Sequence, residues 1–399
     1  MAESYQGGRH RGGQVFGKTG IAGWLSGGSL CLVIGTIGSM GTAGATPGVP
    51  EGEAAAGVVK VRRLYQLLEN AGRAAWAPRG DFIAFDRIGG DEYSDIYITE
   101  PDGSLERCLT CDLIEFRRKH CGNPTWHPSG QLIIFQSEKP IRRGGSPVPF
   151  IEVPGRSLSS DLWAITPDGR RFWKLTNYGD TAGRAHAPRF SHEGDHLAWS
   201  ERVSGGGAWG RWVIQVAEFS QRRGIPKLRN KKTYKFGGGF VENYGFTTND
   251  RGVLMARAIE SGDVLEGIDL YLLDLEDGEI KRLTSAPGEW DRYGRLAPNG
   301  KVVVWSSSRE IQQGSIIIRH RDRPRMMALD LWIMSADGRN RSRLTHFNNV
   351  FSPQYGGRTR VAESSWSPEG DRLVVLVSRG SERGGGSLYI VELDRPIGR

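Results

Sequence analysis

Short runs of hydrophobic residues, each about as long as one β-strand, recur along most of the chain and alternate with turn-forming residues. Runs such as Phe82–Phe85 and Leu132–Phe135 are rich in Ile, Leu and Phe, and Pro, Gly or Asp-Gly bound them. No long stretch shows the three- and four-residue spacing of an amphipathic helix. The pattern therefore predicts an all-β protein built from many short strands joined by tight turns.

The same order of motifs returns six times, so an internal repeat dominates the sequence. Each copy begins at a large apolar anchor residue, usually followed by Pro-x-Gly. It continues through a β-branched run and an Asp-led apolar triplet, and most copies end with Asp-Gly and Leu-Thr. The six anchors are Trp76, Trp126, Phe190, Phe246, Leu296 and Trp366. The anchors lie 50, 64, 56, 50 and 70 residues apart, so some copies carry insertions.

Each copy has room for four strands, here called A to D. Pro-x-Gly and Asp-Gly supply the fixed and the positive φ angles that tight hairpins require. Four-stranded sheets that repeat around an axis form the blades of a β-propeller. The sequence therefore predicts a six-bladed β-propeller over residues 58–399.

The sixth copy stops after strand C, at Leu393, and lacks a strand D of its own. Residues 58–68 resemble the segment that leads into Leu-Thr in other copies. We predict that they pair with residues 386–393 and complete the last blade. This N-terminal strand would remove two exposed sheet edges by closing the ring.

The repeated Trp-x-Pro-x-Gly and Pro-Asp-Gly motifs, with Asp-Leu-Trp or Asp-Ile-Tyr between them, resemble the WD-like repeats of TolB-like β-propellers. The resemblance spans about residues 58–393 and is specific for the fold. It implies no single activity, because similar blades occur in periplasmic scaffold proteins, in prolyl-oligopeptidase propellers and in some polysaccharide lyases.

Residues 1–45 have the features of an export signal: a basic start, a weakly apolar centre and a final Ala-Gly-Ala. One expectation is a signal peptide cleaved after Ala45, which would give a periplasmic or secreted protein. The alternative is a membrane anchor through residues 21–45, with the propeller facing outside. Residues 46–57 look like a flexible linker.

The chain carries 53 Lys and Arg residues against 45 Asp and Glu, a formal net charge of +8. Such a positive excess affects encounters with anionic surfaces and says nothing about the fold. Residues 221–235 hold seven basic residues and no acid, at the predicted C–D hairpin of blade 3. We expect a monomer whose partner is a protein or an anionic glycan of the cell envelope, and no nucleic acid.

Loop lengths predict two unlike faces. The short A–B and C–D turns share one face, which we call the A–B face, while connections 136–160, 306–329 and 346–363 lie on the other, the long-loop face. Long loops on a rigid scaffold commonly carry binding sites. The positions three or four residues before the anchors are predicted at the channel mouth on the long-loop face. The candidate binding residues are Arg73, Asn123, His186, Asn243, Arg292, Tyr293 and Glu363. They could instead solvate a water-filled channel.

Several enzyme signatures are absent from the sequence: G-x-S-x-G, the P-loop and H-E-x-x-H. The histidines have no metal-site spacing, so we expect no metal and no cofactor. The leading hypothesis is a binding module. The alternative is a polysaccharide lyase or hydrolase that uses mouth residues such as His186 and Glu363, with a base and a cation for a uronate carboxylate. The sequence assigns no catalytic residue.

Three cysteines follow the predicted signal: Cys108, Cys111 and Cys121. In an oxidising compartment we expect a disulfide between Cys111 and Cys121, with Cys108 left free. Unpaired thiols, and a zinc site that includes His120, are the alternatives.

Overall fold

The structure is a computed structural model that describes residues 59–139, 160–179, 183–204, 210–261, 264–285, 288–311, 327–379 and 385–398. These residues belong to one compact unit, Pro50–Arg399. The predicted export signal and the whole of the predicted linker lie outside the described residues. None of the helices in the described part of the chain has the length and apolarity needed to cross a membrane.

Within the described residues, twenty-four strands form six antiparallel sheets of four strands each, which confirms the predicted six-bladed all-β propeller. Blade 1 contains β2 (Ala74–Trp76), β3 (Ile83–Ile88), β4 (Ser94–Thr99) and β5 (Arg107–Cys108). Blade 2 contains β6 (Cys121–Trp126), β7 (Ile133–Glu138), β8 (Ser160–Ile165) and β9 (Phe172–Lys174). Blade 3 contains β10 (Arg184–Phe190), β11 (His196–Ser204), β12 (Arg211–Arg222) and β13 (Ile225–Lys235).

The second half of the ring repeats this order. Blade 4 contains β14 (Val241–Phe246), β15 (Gly252–Ser261), β16 (Val264–Asp274) and β17 (Ile280–Arg282). Blade 5 contains β18 (Asp291–Leu296), β19 (Val302–Ser307), β20 (Asp330–Ser335) and β21 (Ser342–Arg343). Blade 6 contains β22 (Thr359–Trp366), β23 (Arg372–Arg379), β24 (Gly386–Leu393) and, from the start of the chain, β1 (Val61–Ala71). The innermost strand of each blade contacts the innermost strand of the next, and β22 contacts β2.

The N-terminal strand β1 closes the ring as predicted. It pairs antiparallel with β24, with Tyr65 opposite Ile390 and Leu68 opposite Leu388. The described strand runs from Val61 to Ala71, three residues further than the predicted segment. The last blade is therefore assembled from both ends of the sequence, which leaves no open edge between the first and the last repeat.

Hydrogen bonds between strands C and D explain why Asp and Leu-Thr recur together. In blade 1, Thr110 donates its hydroxyl hydrogen to Asp95 Oδ1 at 2.6 Å, and its Oγ1 accepts the Ile96 backbone N–H at 3.0 Å. The same Thr-to-Asp bond joins Thr176 to Asp161, Thr284 to Asp269 and Thr345 to Asp330. Each bond ties the end of strand D to the start of strand C, so the motif fixes the register of the blade.

Five of the six innermost strands contain a β-bulge at the same position, three or so residues before the anchor. Asn123, Ala187 and Tyr293 lie at this point with φ values of 55°, 52° and 57°. A bulge changes the alternation of side chains along a strand. Residues on both sides of it, such as His186 and Arg189, therefore contribute side chains to the central channel.

The predicted disulfide between Cys111 and Cys121 is wrong. The bond joins Cys108 to Cys111, whose Cα atoms are 5.9 Å apart, within the usual range for a disulfide. Cys121 opens strand β6 as a free, fully buried thiol packed in the core between blades 1 and 2. Its position inside that core explains why it pairs with neither of the other two cysteines.

Candidate binding site at the propeller channel

All seven candidate residues lie on the innermost strands or directly before them, and all are buried. Their exposed fractions run from 0% to 5%: Arg73, Asn123, His186, Asn243, Arg292, Tyr293 and Glu363. The sequence therefore located them at the channel but did not reveal that the structure encloses them. Whether any of them contacts a ligand stays a prediction.

Glu242 organises one cluster of these residues. Its Oε1 accepts a hydrogen bond from His186 Nε2 at 2.9 Å, and its Oε2 accepts one from the Tyr244 hydroxyl at 2.8 Å. Arg292 also donates to Oε2. Burial alone would raise the pKa of Glu242, but Arg292 and His186 hold that pKa well below its ordinary value. Burial lowers the pKa of His186 to about 4, so its ring is neutral at neutral pH.

Glu363 organises the second cluster, in which three guanidinium groups surround one carboxylate. Arg73 pairs with Oε1, while Arg189 Nη2 and Arg295 Nη2 lie 3.1 Å and 3.2 Å from Oε2. Burial lowers the pKa of Arg189 to about 9, and repulsion from Arg295 acts in the same direction. Burial likewise lowers the pKa of Arg295. This cluster is therefore richer in positive charge than its carboxylate can balance.

Asp86 supplies a third carboxylate beside Arg73. Its oxygens accept the backbone N–H groups of Arg73 at 3.2 Å and of Asn123 at 2.8 Å. Burial raises the pKa of Asp86 to about 6. Gly72 is required beside this carboxylate, because a Cβ at that position would collide with the Asp86 side chain.

The charged groups of the two clusters do not cancel. Four guanidinium groups face three carboxylates, and the neutral His186 adds no charge. One positive charge therefore remains in excess near the channel axis at neutral pH. Because Arg292 and Glu242 form a balanced pair, the excess belongs to the group around Glu363.

Further contacts hold several of the candidate residues in place. Asn243 donates its side-chain amide to the carbonyl oxygens of Ala187 at 2.8 Å and Ala198 at 3.0 Å, which ties blade 3 to blade 4. The Arg292 guanidinium lies 4.6 Å from the centre of the Tyr293 ring. His186 is held between Glu242 and the Gln136 side chain, 3.2 Å from its Nδ1, so a substrate atom would have to displace one of them to reach it.

A pocket of about 330 Å³ opens on the A–B face, where no binding site was predicted. All six repeat anchors line it: Trp76, Trp126, Phe190, Phe246, Leu296 and Trp366. Arg189 and Arg295 line it as well, and residues of the A–B turns, such as Pro78 and Pro128, form part of its wall. Since every blade contributes its anchor, the pocket lies at the axis of the ring.

Sequence reasoning missed the two pocket arginines, although a signal for them existed. When the copies are aligned on their anchors, Arg189 and Arg295 occupy the position directly before the anchor. The other four copies have small residues there: Ala75, Thr125, Gly245 and Ser365. Four small side chains leave room at the axis, and two long cationic ones point to a charged site within it.

The long-loop face is described only in part. Connections 140–159 and 312–326 lie outside the described residues, so the predicted binding role of this face stays a prediction. The described loop between β21 and β22 exposes Val350, Phe351 and Tyr355, and Phe351 is 92% exposed. Among the described residues, one group of possible metal ligands lies close together, Asp95 with Cys108 and Cys111, but its two sulfur atoms are joined in the disulfide.

Comparisons with known proteins agree with the fold. No family model matches the chain. The Tol-Pal system protein TolB of Gluconobacter oxydans is 35% identical over 75 residues, which are 19% of this chain and 15% of that protein. The chain thus matches only a small part of that protein's length.

Two solved structures cover most of the chain. A putative TolB from Agrobacterium tumefaciens matches with a TM-score of 0.51 at 14% identity, over 82% of this chain and 90% of that one. TolB from Acinetobacter baumannii matches with a TM-score of 0.45 at 15% identity, over 82% and 64%. The likeness to the Agrobacterium tumefaciens structure agrees with the six-bladed ring and its repeat motifs, and the fold is that of a TolB-like β-propeller.

Proposed function

We propose that this protein is an exported binding module that holds a protein partner of the cell envelope at the A–B face. The axial pocket carries this proposal: it is the described cavity to which all six blades contribute an anchor residue and in which two arginines take part. Aromatic side chains and arginine are the residue types that supply most of the binding energy at protein interfaces. The predicted export signal supports the location.

The arrangement favours binding over catalysis. The channel groups that could act as acid or base are all buried, with exposed fractions from 0% to 4%, and each is bound to a neighbouring group: Asp86, His186, Glu242 and Glu363. A general base must come within hydrogen-bond reach of the proton that it removes. A rigid ring with a shallow charged pocket instead offers a preformed contact surface, which lowers the entropic cost of binding. The name of the Gluconobacter oxydans relative, a Tol-Pal system protein, supports a protein as the partner.

The test compares two variants on opposite faces. Ala75→Trp places a large side chain in the pocket, and Phe351→Ser removes the exposed aromatic residue of the long-loop face. Purified wild-type protein and both variants are cross-linked in envelope extracts, and the captured species are compared by mass spectrometry. We expect the A75W variant to lose a species that the F351S variant retains, and protease treatment to abolish that species.

The opposite pattern would overturn the pocket as the contact. If F351S loses the species and A75W retains it, the partner binds the long-loop face. A captured species that resists protease but not glycosidase treatment would show an anionic glycan as the partner. Far-UV circular dichroism and melting curves of both variants confirm that each remains folded.

A further inference from the structure

The guanidinium groups of Arg189 and Arg295 lie between a buried carboxylate and an open pocket. The side chain of Glu363 is 3% exposed, whereas those of Arg189 and Arg295 are 12% and 11% exposed and line the pocket. A third guanidinium, that of Arg73, binds the same carboxylate from within the channel. Glu363 and the neighbouring Asp86 balance two of these three guanidinium groups, so one positive charge remains in excess beside the pocket.

Backbone carbonyl groups hold the two pocket arginines in place. Arg295 donates from Nη1 to the carbonyl oxygens of Tyr244 and Gly294, both at 3.0 Å, and from Nε to that of Ser364 at 3.0 Å. Arg189 donates from Nη1 to the Pro188 carbonyl oxygen at 2.6 Å. Guanidinium groups fixed in this way lose little conformational entropy when an anion binds.

We propose that Arg189 and Arg295 form a carboxylate-binding site that receives the C-terminal end of a partner polypeptide. This inference rests on the proposed function and names the chemistry that the pocket recognises. A carboxylate forms charge-assisted hydrogen bonds with a guanidinium group and supplies the negative charge that the cluster lacks. The apolar side chain of the last residue would then pack against the anchors around it, among them Trp76, Phe246 and Trp366.

The shape of the pocket favours a chain end. It lies on the propeller axis, and its volume of about 330 Å³ is enough for one terminal residue. A uronic acid would bring the same carboxylate but needs exposed aromatic faces for its ring. The three tryptophans that line the pocket are only 6% to 9% exposed and so leave little aromatic surface for a sugar ring: Trp76, Trp126 and Trp366.

The test uses the full chain and small probes in isothermal titration calorimetry. N-acetyl-phenylalanine, which carries the free carboxylate, should bind at least about tenfold more tightly than N-acetyl-phenylalanine amide, because a charged acceptor bond is lost in the amide. The R189Q and R295Q variants should each weaken binding of the free acid by about tenfold or more. Arg170→Gln, which changes an exposed arginine on a C–D turn, is the matched control and should bind like the wild type.

Other outcomes overturn the inference. Equal affinities for N-acetyl-phenylalanine and its amide would show that the site does not recognise the carboxylate. Binding of methyl galacturonoside without binding of N-acetyl-phenylalanine would assign the site to a uronate. If neither acid binds but A75W still loses its cross-linked partner, the proposed function stands and the carboxylate site fails. Should R295Q not fold, the acid–amide comparison on the wild type and the R189Q variant decide the matter.

Discussion

Glu242 and Glu363 are both buried carboxylates beside the propeller axis, yet their surroundings differ in charge and in access to solvent. Glu242 binds one arginine, a neutral histidine and a tyrosine hydroxyl, which makes a balanced and enclosed group. Glu363 binds three arginines, two of which reach the pocket on the A–B face. Burial lowers the pKa of the two pocket arginines, Arg189 and Arg295. The pKa values of Arg292 and Arg73 are raised against the effect of burial, by Glu242 and by Glu363 with Asp86 respectively.

Buried charged residues have different roles in the two clusters. A balanced pair such as Arg292 with Glu242 joins neighbouring blades, and removing one partner leaves the other uncompensated in a region of low polarity. A cluster with excess positive charge, such as that around Glu363, is less stable by itself, but an anion from solution can bind it and balance the charge. Position in the ring decides which use applies, because Arg189 and Arg295 of the Glu363 cluster line the pocket, whereas Glu242 and Arg292 do not.

The largest expected effect comes from neutralising each carboxylate. Glu363→Gln and Glu242→Gln should each lower the free energy of unfolding by roughly 3–5 kcal/mol, because both leave buried guanidinium groups unpaired. Sodium formate should then restore stability to E363Q as its concentration rises, since the anion can enter the pocket and bind only the folded state. Urea denaturation at increasing formate, with sodium chloride at equal ionic strength as the control, measures this recovery.

E242Q is the matched control for that recovery. Neither Glu242 nor its partners Arg292 and His186 line the pocket, so formate should change the stability of E242Q no more than it changes that of the wild type. If formate restores the stability of E242Q and E363Q equally, the anion reaches both clusters equally well, and the proposed difference between them is wrong.

The sequence predicted the fold well because the signals for it are local. An anchor such as Trp126, its Pro-x-Gly turn and an Asp–Thr pair such as Asp161 with Thr176 each lie within one blade, and the structure confirms their roles. Even the closing strand could be found, since blade 6 lacked one strand and the N-terminal segment matched the gap.

The site was harder to predict because its contacts join distant repeats. Arg189 and Glu363 are 174 residues apart in sequence, and no spacing rule brings them together. Counting from the anchors placed Glu363 near the axis but could not show that it is enclosed, nor that the pocket opens on the other face. The disulfide was missed for a different reason: the burial of Cys121 depends on packing between blades.

A smaller effect is expected in the pH dependence of stability, where Asp86 and His186 oppose each other. The pKa of Asp86 is about 6 in the folded protein against an ordinary 3.8, so folding takes up a proton between these values and this contribution is lost as the pH rises through 6. The pKa of His186 is about 4 against 6.5, so the unfolded chain binds the proton and stability is lost as the pH falls through 6.5. In the wild type the two contributions largely cancel.

Single substitutions should reveal the pH dependence of stability that each of the two groups contributes. Asp86→Asn should lose roughly 3 kcal/mol between pH 7 and pH 4.5, and His186→Asn should gain a similar amount over the same range. Urea unfolding at pH 7, 6, 5 and 4.5 measures both profiles. The difference between the two variants is the informative quantity, because all other titratable groups are common to them. Parallel profiles would contradict the assignment of opposite signs to the two groups.

The smallest expected effect on stability is that of Arg189→Gln. The charge of Arg189 is disfavoured by burial and by Arg295, and two guanidinium groups remain on Glu363 after its removal. The free energy of unfolding should therefore change by less than about 1 kcal/mol, whereas the same substitution at Arg292 should cost roughly 3–5 kcal/mol because Glu242 would lose its arginine. If urea denaturation shows equal losses for R189Q and R292Q, the pocket arginine is as tightly integrated as its enclosed counterpart. If R189Q unfolds with nearly the wild-type free energy but no longer binds N-acetyl-phenylalanine, the Arg189 guanidinium serves ligand binding and not the stability of the fold.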